Sequence, residues 1–365
     1  MARRNGQVEH ATLIDVALEA GVSRATAARA LGGYGSVSPE ARERVMAAAD
    51  RLHYRANMLA RSMKSGTSQT IGVIVADIEL AFFAQAVRGI TDAAKLAGFE
   101  VILANSDEDE TKERAALGVL IAKRVDGLIV APASVRDVKH LVDAVERGFP
   151  LVFLDRGPTD IGADTVVVDN HRASELAVHH LAGLGHRRIA ILVERDTALD
   201  GGAAAAARPA LVDAMTSTLR QVGWAAGLKA AGLPVSDDLI LRTAYDRGDA
   251  RRVTARALGL PHRPTAILTT DETMTLGALE AILDAGLRVP EDVSLVAFDD
   301  PSWTTLLRPP LTVIAQPVYE MGTLAAQLLL GRIQNPRGPI QQITLETRLI
   351  MRASCGRPAG AGAQI

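Results

Sequence analysis

The chain has 365 residues, of which 48% are apolar and 22% charged, and its formal net charge is −2. This profile excludes a disordered or fibrous chain, and the length exceeds what one ordinary hydrophobic core organises, so two or three domains are expected. The longest apolar runs are too short to span a bilayer, no apolar stretch follows the charged opening MARRNGQVEH, and the single cysteine, Cys355, leaves no internal disulfide or Cys-based metal cluster. A cytoplasmic protein is expected.

Charge is unevenly divided. Residues 1–66 carry ten Arg/Lys against six Asp/Glu, leaving thirty against thirty-six in the remainder. A basic head on an acidic body is expected where one end meets a polyanion, although a solvated helical surface gives the same count.

The first sixty residues read as helical. Thr12 caps a first helix and Asp15 completes a capping box, with Leu13, Val16, Ala17 and Ala20 at helical spacing. Gly21 stops that helix and tolerates a left-handed turn, and Ser23 caps a second helix, roughly Arg24 to Leu31. Helix, short glycine-containing turn, helix is the helix-turn-helix pattern. Ser38-Pro39-Glu40 opens a third helix that runs to about His53. Residues 56–65 can form one more short helix, too short to stand alone in water, and 66–68 act as a joint.

From Thr70 short β-branched runs recur at 71–77, 100–106, 126–132, 150–156, 164–170, 188–194, 265–271 and 293–300, separated by helical stretches such as 84–97, 110–123 and 172–184. Continuous apolar strands alternating with helices imply parallel doubly wound sheets, and eight or more strands fit two lobes better than one sheet. Residues 200–215 are Gly/Ala-rich and read as a surface loop or an extra short helix.

The segment TLIDVALEAGVSRATAARAL resembles the head of the lactose/galactose-repressor (LacI/GalR) family of bacterial transcription regulators, matching at Thr12, Asp15, Val16, Ala17, Ala20, Gly21, Val22, Ser23, Thr26, Arg29 and Leu31. The likeness continues to about residue 352 through IGVIV, NSDED, VDGLIV, LGHRRIAIL, GLRVPEDVSLVAFDD and PPLTVIAQP. It implies an N-terminal all-α helix-turn-helix domain (1–55), a hinge helix and linker (56–68), and an α/β two-lobed domain like type I periplasmic binding proteins, with parallel doubly wound sheets (69–352). Lobe 1 is expected over about 69–168 and 317–337, lobe 2 over about 169–316 and 338–352, and 353–365 as a flexible tail.

Carried over by position, Arg24 and Ala25 read bases in the major groove, and arginine can take guanine bidentately. Arg29 adds a base or phosphate contact, and Thr12, Ser23 and Thr26 suit phosphate oxygens. Ala27-Ala28 stands where Val-Ser is usual, which suits close helix packing. In the hinge, Met63 takes the place of the minor-groove wedge, with Asn57 and Arg61 as its neighbours.

For the effector, the resemblance implies Asp299 as carboxylate and Arg220, in R-x-x-G-W, as guanidinium, with Asp155, Thr270 and Gln316 beside them and Phe82 and Phe83 as walls. Carboxylates accept hydroxyl protons, a guanidinium donates, and an aromatic face covers the C–H side of a sugar. Asp77 and Asp271 serve equally well as helix caps. Two departures, Thr270 before Asp271 and Leu80-Ala81 before the phenylalanines, leave the ligand open.

No phosphate-binding loop, zinc-protease helix or nucleophile elbow occurs, and His179-His180, adjacent on a helix, make no metal pair. The expectation is therefore a regulator and not an enzyme, without cofactor or metal. Its partners would be a double-stranded operator, a small polar effector such as a sugar, and a second copy of itself, or three copies in a tetramer, with no membrane. A solute receptor would explain residues 70–352 equally well but not the basic helical head.

Overall fold

The computed structural model describes residues 11–32, 34–54, 67–158, 161–195 and 215–359. The hinge residues Asn57, Arg61 and Met63, and nearly all of the 200–215 segment, lie outside them. The chain divides into two units between Ser68 and Gln69.

The first unit has three helices, α1 (Leu13–Glu19), α2 (Arg24–Gly32) and α3 (Pro39–Arg51). The capping box of α1 forms as expected, with the Thr12 side chain and backbone both engaged by Asp15. Gly21 turns the chain at φ +63°, a value that costs glycine nothing. Ser38 caps α3 at Ala41 N–H, and Pro39 occupies its first position. The core holds mainly small side chains, Val16, Ala17, Ala20, Ala27, Ala30, Val45, Ala48 and Ala49. Ala27 is fully buried, so a larger residue there would force α2 away from its neighbours. Arg42 donates to Ala30 O across 3.1 Å, satisfying a carbonyl in the last turn of α2.

The second unit alternates strand and helix. In chain order come β1 (Thr70–Val75), α4 (Ala81–Leu96), β2 (Glu100–Asn105), α5 (Glu110–Ala122), β3 (Gly127–Val130), α6 (Lys139–Glu146), β4 (Leu151–Leu154) and β5 (Asp164–Val168). There follow α7 (Asn170–Gly183), β6 (Ile189–Glu194), α8 (Thr216–Ala230), β7 (Ile240–Thr243), α9 (Arg247–Leu258), β8 (Ala266–Thr269), α10 (Glu272–Asp284) and β9 (Ser294–Phe298). Last are β10 (Thr312–Ala315), α11 (Val318–Gln334), β11 (Gln342–Leu345) and β12 (Arg348–Ile350). No described helix is long and apolar enough to cross a membrane.

Two six-stranded sheets result, ordered β11-β5-β4-β3-β1-β2 and β12-β10-β9-β8-β6-β7. All pairs are parallel except β10 with β12. The two orders correspond strand for strand, so each lobe repeats the other's winding. The chain passes between lobes three times, at Asp169, at Gln316-Pro317 and at Glu346-Thr347. The apolar strands β1, β3, β4, β6, β8 and β9 are buried along their whole length except for Thr70 and Glu194 at two ends, because helices cover both faces.

Two expectations need correction. Residues 338–352 are not one piece of the second lobe. Gln342–Leu345 pairs in parallel with β5 in the first sheet, and only β12 joins the second. The cause is Asp164, whose carboxylate takes two nitrogens of Arg332 at 2.9 and 2.7 Å and the Gln341 N–H at 2.8 Å, drawing that segment onto the first lobe. Nor are residues 353–356 a flexible tail. Ser354 is fully buried and bonds Leu295 O and Thr312 N–H, while Gly356 O meets the ring of His186 at 2.9 Å.

In the first lobe α4 and α11 touch backbone to backbone. A Cβ on Gly322 would sit 2.0 Å from Ala86 O, and one on Gly89 would sit 2.2 Å from Tyr319 O. Gly322→Ala is expected to lower the free energy of unfolding by about 2 kcal/mol in urea denaturation, since helix axes must separate. Gly331→Ala, on the same helix with nothing within 4 Å of the added carbon, should leave stability unchanged or slightly raised.

Candidate functional site

Two surfaces carry chemistry. In the first unit Arg24 and Ala25 are exposed at the start of α2, and the Arg24 side chain has no partner among the described residues. Ser23 caps Thr26 N–H at 3.1 Å, and the two hydroxyls share a hydrogen bond of 2.9 Å. One hydroxyl proton of that pair therefore remains for a phosphate oxygen. Thr12 is different, because its hydroxyl donates to Asp15 at 2.7 Å and is committed to the cap. Arg29 folds back along the helix, its Nε donating to Ala25 O at 3.3 Å.

In the second unit a cleft lies where the carboxyl ends of the strands of both lobes converge. All seven effector residues expected from the sequence line it: Phe82, Phe83, Asp155, Arg220, Thr270, Asp299 and Gln316. Asp155 follows β4 and Asp299 follows β9, the corresponding strand of the second lobe. Both adopt left-handed backbone, φ +69° and +70°, and both donate their N–H to the next strand, at Val166 O and Ile314 O. Gln316, on the second crossing between lobes, donates to Asp299 across 2.7 Å, and its Oε1 is buried without a partner.

Arg220 is buried on α8. Its Nε donates to Asn170 Oδ1 at 2.7 Å, its Nη1 donates to Thr270 O, and its guanidinium carbon lies 4.1 Å from the centre of the Phe298 ring. The rest of R-x-x-G-W serves packing. Gly223 lets α8 approach the His171 carbonyl, and Trp224 is fully buried with its indole N–H on Ile189 O. The Thr270 hydroxyl donates to Leu192 O at 3.0 Å, so its proton belongs to the scaffold. Asp77 does not line the cleft and accepts the Glu79 N–H in a turn. Asp271 does both, capping α10 at Met274 N–H and facing the cleft. Phe83 is part of the first lobe's core, and Phe82, edge-on to it, is only partly buried.

A family description for bacterial regulatory proteins of the lacI family matches residues 12–57, and one for a periplasmic-binding-protein-like domain matches residues 178–355. Catabolite control protein A of Priestia megaterium is 32% identical over 343 residues, covering 94% of this chain and 98% of that protein. The chain belongs to the LacI family. Among solved structures, the Lac repressor bound to ONPG in the repressed state aligns with TM-score 0.80 at 28% identity, over 95% of this chain and all of that one. A LacI-family transcriptional regulator from Enterococcus faecium with bound ribose aligns with TM-score 0.65 at 28% identity, over 79% of this chain and 99% of that one. As a LacI-family protein the chain is a DNA-binding transcription regulator.

In this LacI-family cleft the structure adds residues that the sequence did not single out for it, Glu108, Glu194, Tyr245 and Glu272, and it also places there Arg156, which the sequence offers as a polar residue at a strand end. Arg156 is tied to Glu108 at 2.6 Å and to Pro132 O at 2.6 Å. Glu272 joins the lobes, accepting from Trp303 Nε1 at 2.7 Å and from Ala81 N–H at 3.4 Å. Asn170 positions Arg220 from the first residue beyond a crossing. Each lies on or next to a different strand or helix, so only the topology brings them together.

Burial pushes the carboxyls of Asp299 and Asp271 up to about 6, against the opposing pull of Arg220 and of hydrogen bonds, and raises Asp155 as well. The unfolded chain releases these protons near 3.8, so the folded state binds more protons between that value and about 6. The cost of Asp299 therefore builds as pH rises through this window and stays constant above it. Asp299→Asn removes the charge. It should raise the stability of the ligand-free protein by about 2 kcal/mol at neutral pH, with the gain nearly gone by about pH 4. Urea denaturation of both proteins across that range checks it, and a gain independent of pH would remove the desolvated charge as its cause.

Proposed function

We propose that this chain is a ligand-responsive repressor, cytoplasmic and without enzymatic activity, whose dimer reads a pseudo-palindromic operator and whose cleft takes a sugar or a closely related polyol. The observation that carries the effector reading is the convergence of Asp155, Asp299 and Gln316 as acceptors with Arg220 as donor beside Phe82. Alternating acceptors and donors with one apolar wall match a ring bearing hydroxyls on its edge and C–H groups on its face. The ribose held by the Enterococcus faecium regulator supports the same reading.

On the DNA side, the start of α2 offers Arg24 to a base edge and the Ser23–Thr26 pair and Arg29 to the backbone, with Ala25 small enough to sit against a thymine methyl. Two copies related by a two-fold axis would place two such helices on half-sites one or two helical turns apart. Asn57, Arg61 and Met63 would add minor-groove contacts. The effector changes operator affinity only to the extent that it binds one lobe arrangement better than the other.

Selection from random duplexes at moderate salt should recover a palindrome. Arg24→Ala should weaken binding to it by about 10- to 100-fold and relax the preference at one position of each half-site. A uniform loss over all sequences would instead make Arg24 a phosphate contact. Asp299→Ala should abolish the thermal shift given by a bound sugar and leave operator binding intact. A retained shift would remove Asp299 from the ligand.

A further inference from the structure

The cleft's charges are lopsided. Among the described residues it is lined by six carboxylates, Glu108, Asp155, Glu194, Asp271, Glu272 and Asp299, and by two guanidiniums, Arg156 and Arg220. Arg156 is already neutralised, with Glu108 across its Nη2, Asp155 at 3.6 Å from Nη1 and Pro132 O on Nε. Arg220 has given Nε to Asn170 and one hydrogen of Nη1 to Thr270 O, which leaves Nη2 and the second hydrogen of Nη1 for a ligand. Helix N-termini are the other source of positive potential, worth about half a charge each. That of α4 already meets Glu272, through Ala81 N–H, and that of α10 is capped by Asp271. The N-terminus of α8, whose N-cap is Met215 and which has no side-chain cap, also faces the cleft, at Thr216 and Ser217.

We infer that the effector is a polyol without any anionic group, and that the cleft rejects the phosphate ester of the same compound. This rests on the reading that the cleft takes a polyol. Hydroxyl groups suit the wall because each carboxylate oxygen accepts a proton from them. A phosphate offers acceptors where the wall is already rich in acceptors, and it brings up to two negative charges to a site whose described lining holds more carboxylates than guanidiniums. Half a charge at α8 does not offset that excess. Raised affinities for protons at Asp271 and Asp299 reduce it near pH 6 but leave it in place at pH 7.5.

The test is isothermal titration of the full-length protein at pH 7.5 with three matched pairs: D-ribose and D-ribose 5-phosphate, D-glucose and D-glucose 6-phosphate, D-fructose and D-fructose 6-phosphate. At least one free sugar should bind, with its phosphate at least about 100-fold weaker. A phosphate ester that binds as well as its parent sugar, or better, overturns this inference and leaves the polyol reading standing. No binding by any of the six overturns the polyol reading and this inference with it. Steric exclusion is separated from charge by Asp271→Asn combined with Glu194→Gln. Asparagine caps α10 as well as aspartate does, so the helix start is kept. Removing two charges should narrow the gap between sugar and phosphate by at least about tenfold. An unchanged gap would make the exclusion a matter of shape and overturn its electrostatic origin.

Discussion

A guanidinium held out of water is stable only if dipoles and opposite charges replace its hydration shell, and Arg220 is where this chain meets that demand. Its partners come from separate places: Asn170 at the start of α7, the carbonyl of Thr270 between β8 and α10, and the ring of Phe298 at the end of β9. Three carboxylates complete its surroundings, Asp155 from the first lobe and Asp271 and Asp299 from the second. The polar wall of the cleft is thus assembled around one charge. Because Asp155 and Asp299 lie on opposite lobes, the balance between them depends on how the lobes are set.

The repeated winding explains why the two acids match. Asp155 and Asp299 stand one residue past corresponding strands, in the same left-handed conformation and with the same N–H bond to the next strand. For a residue with a Cβ that conformation is sparsely populated, and it persists here because the ladder bond and the burial of the flanking strands leave no alternative. Both residues line the cleft between the lobes. The repeat is broken at the next position, where Arg156 in the first lobe answers to Asp300 in the second. Arg156 closes on Glu108, whereas Asp300 pairs with Arg352, just past β12.

Much of this was legible in the sequence, for reasons that can be named. The eight strands expected from it are all present, because each carries a run of β-branched or leucine side chains, and all but the edge strand β2 are largely buried on both faces. The strands it did not single out, β7, β10, β11 and β12, are three or four residues long and, apart from β10, lie at sheet edges, with Arg242, Gln342 and Arg348 interrupting the pattern. Nothing local tells that β11 and β12 belong to different lobes. That depends on Asp164 and Arg332, which are far apart in the chain and meet only after folding. In the cleft, Asp299, Arg220 and Gln316 were legible through the motifs that carry them. Glu108, Glu194, Tyr245 and Glu272 were not, since an isolated acid or tyrosine after a short strand looks like any other surface residue. Thr270 shows the converse. Its identity suggested a hydroxyl for the ligand, and its neighbour Leu192 has already taken the proton.

The acceptors gathered in the cleft are costly to bury. Burial raises the proton affinity of carboxylates that are ionised at neutral pH, and Gln316 keeps a buried carbonyl oxygen with no donor among the described residues. A ligand that donates hydroxyl protons to these acceptors relieves both costs at once, so part of its binding energy is the removal of strain already present in the free protein. Gln316 and Asn170 sit at or beside two of the three crossings between lobes, so the same relief is felt at the segments about which the lobes turn. Binding can therefore favour one setting of the lobes over another without any contact beyond the cleft, which is the differential affinity a switch of this kind requires.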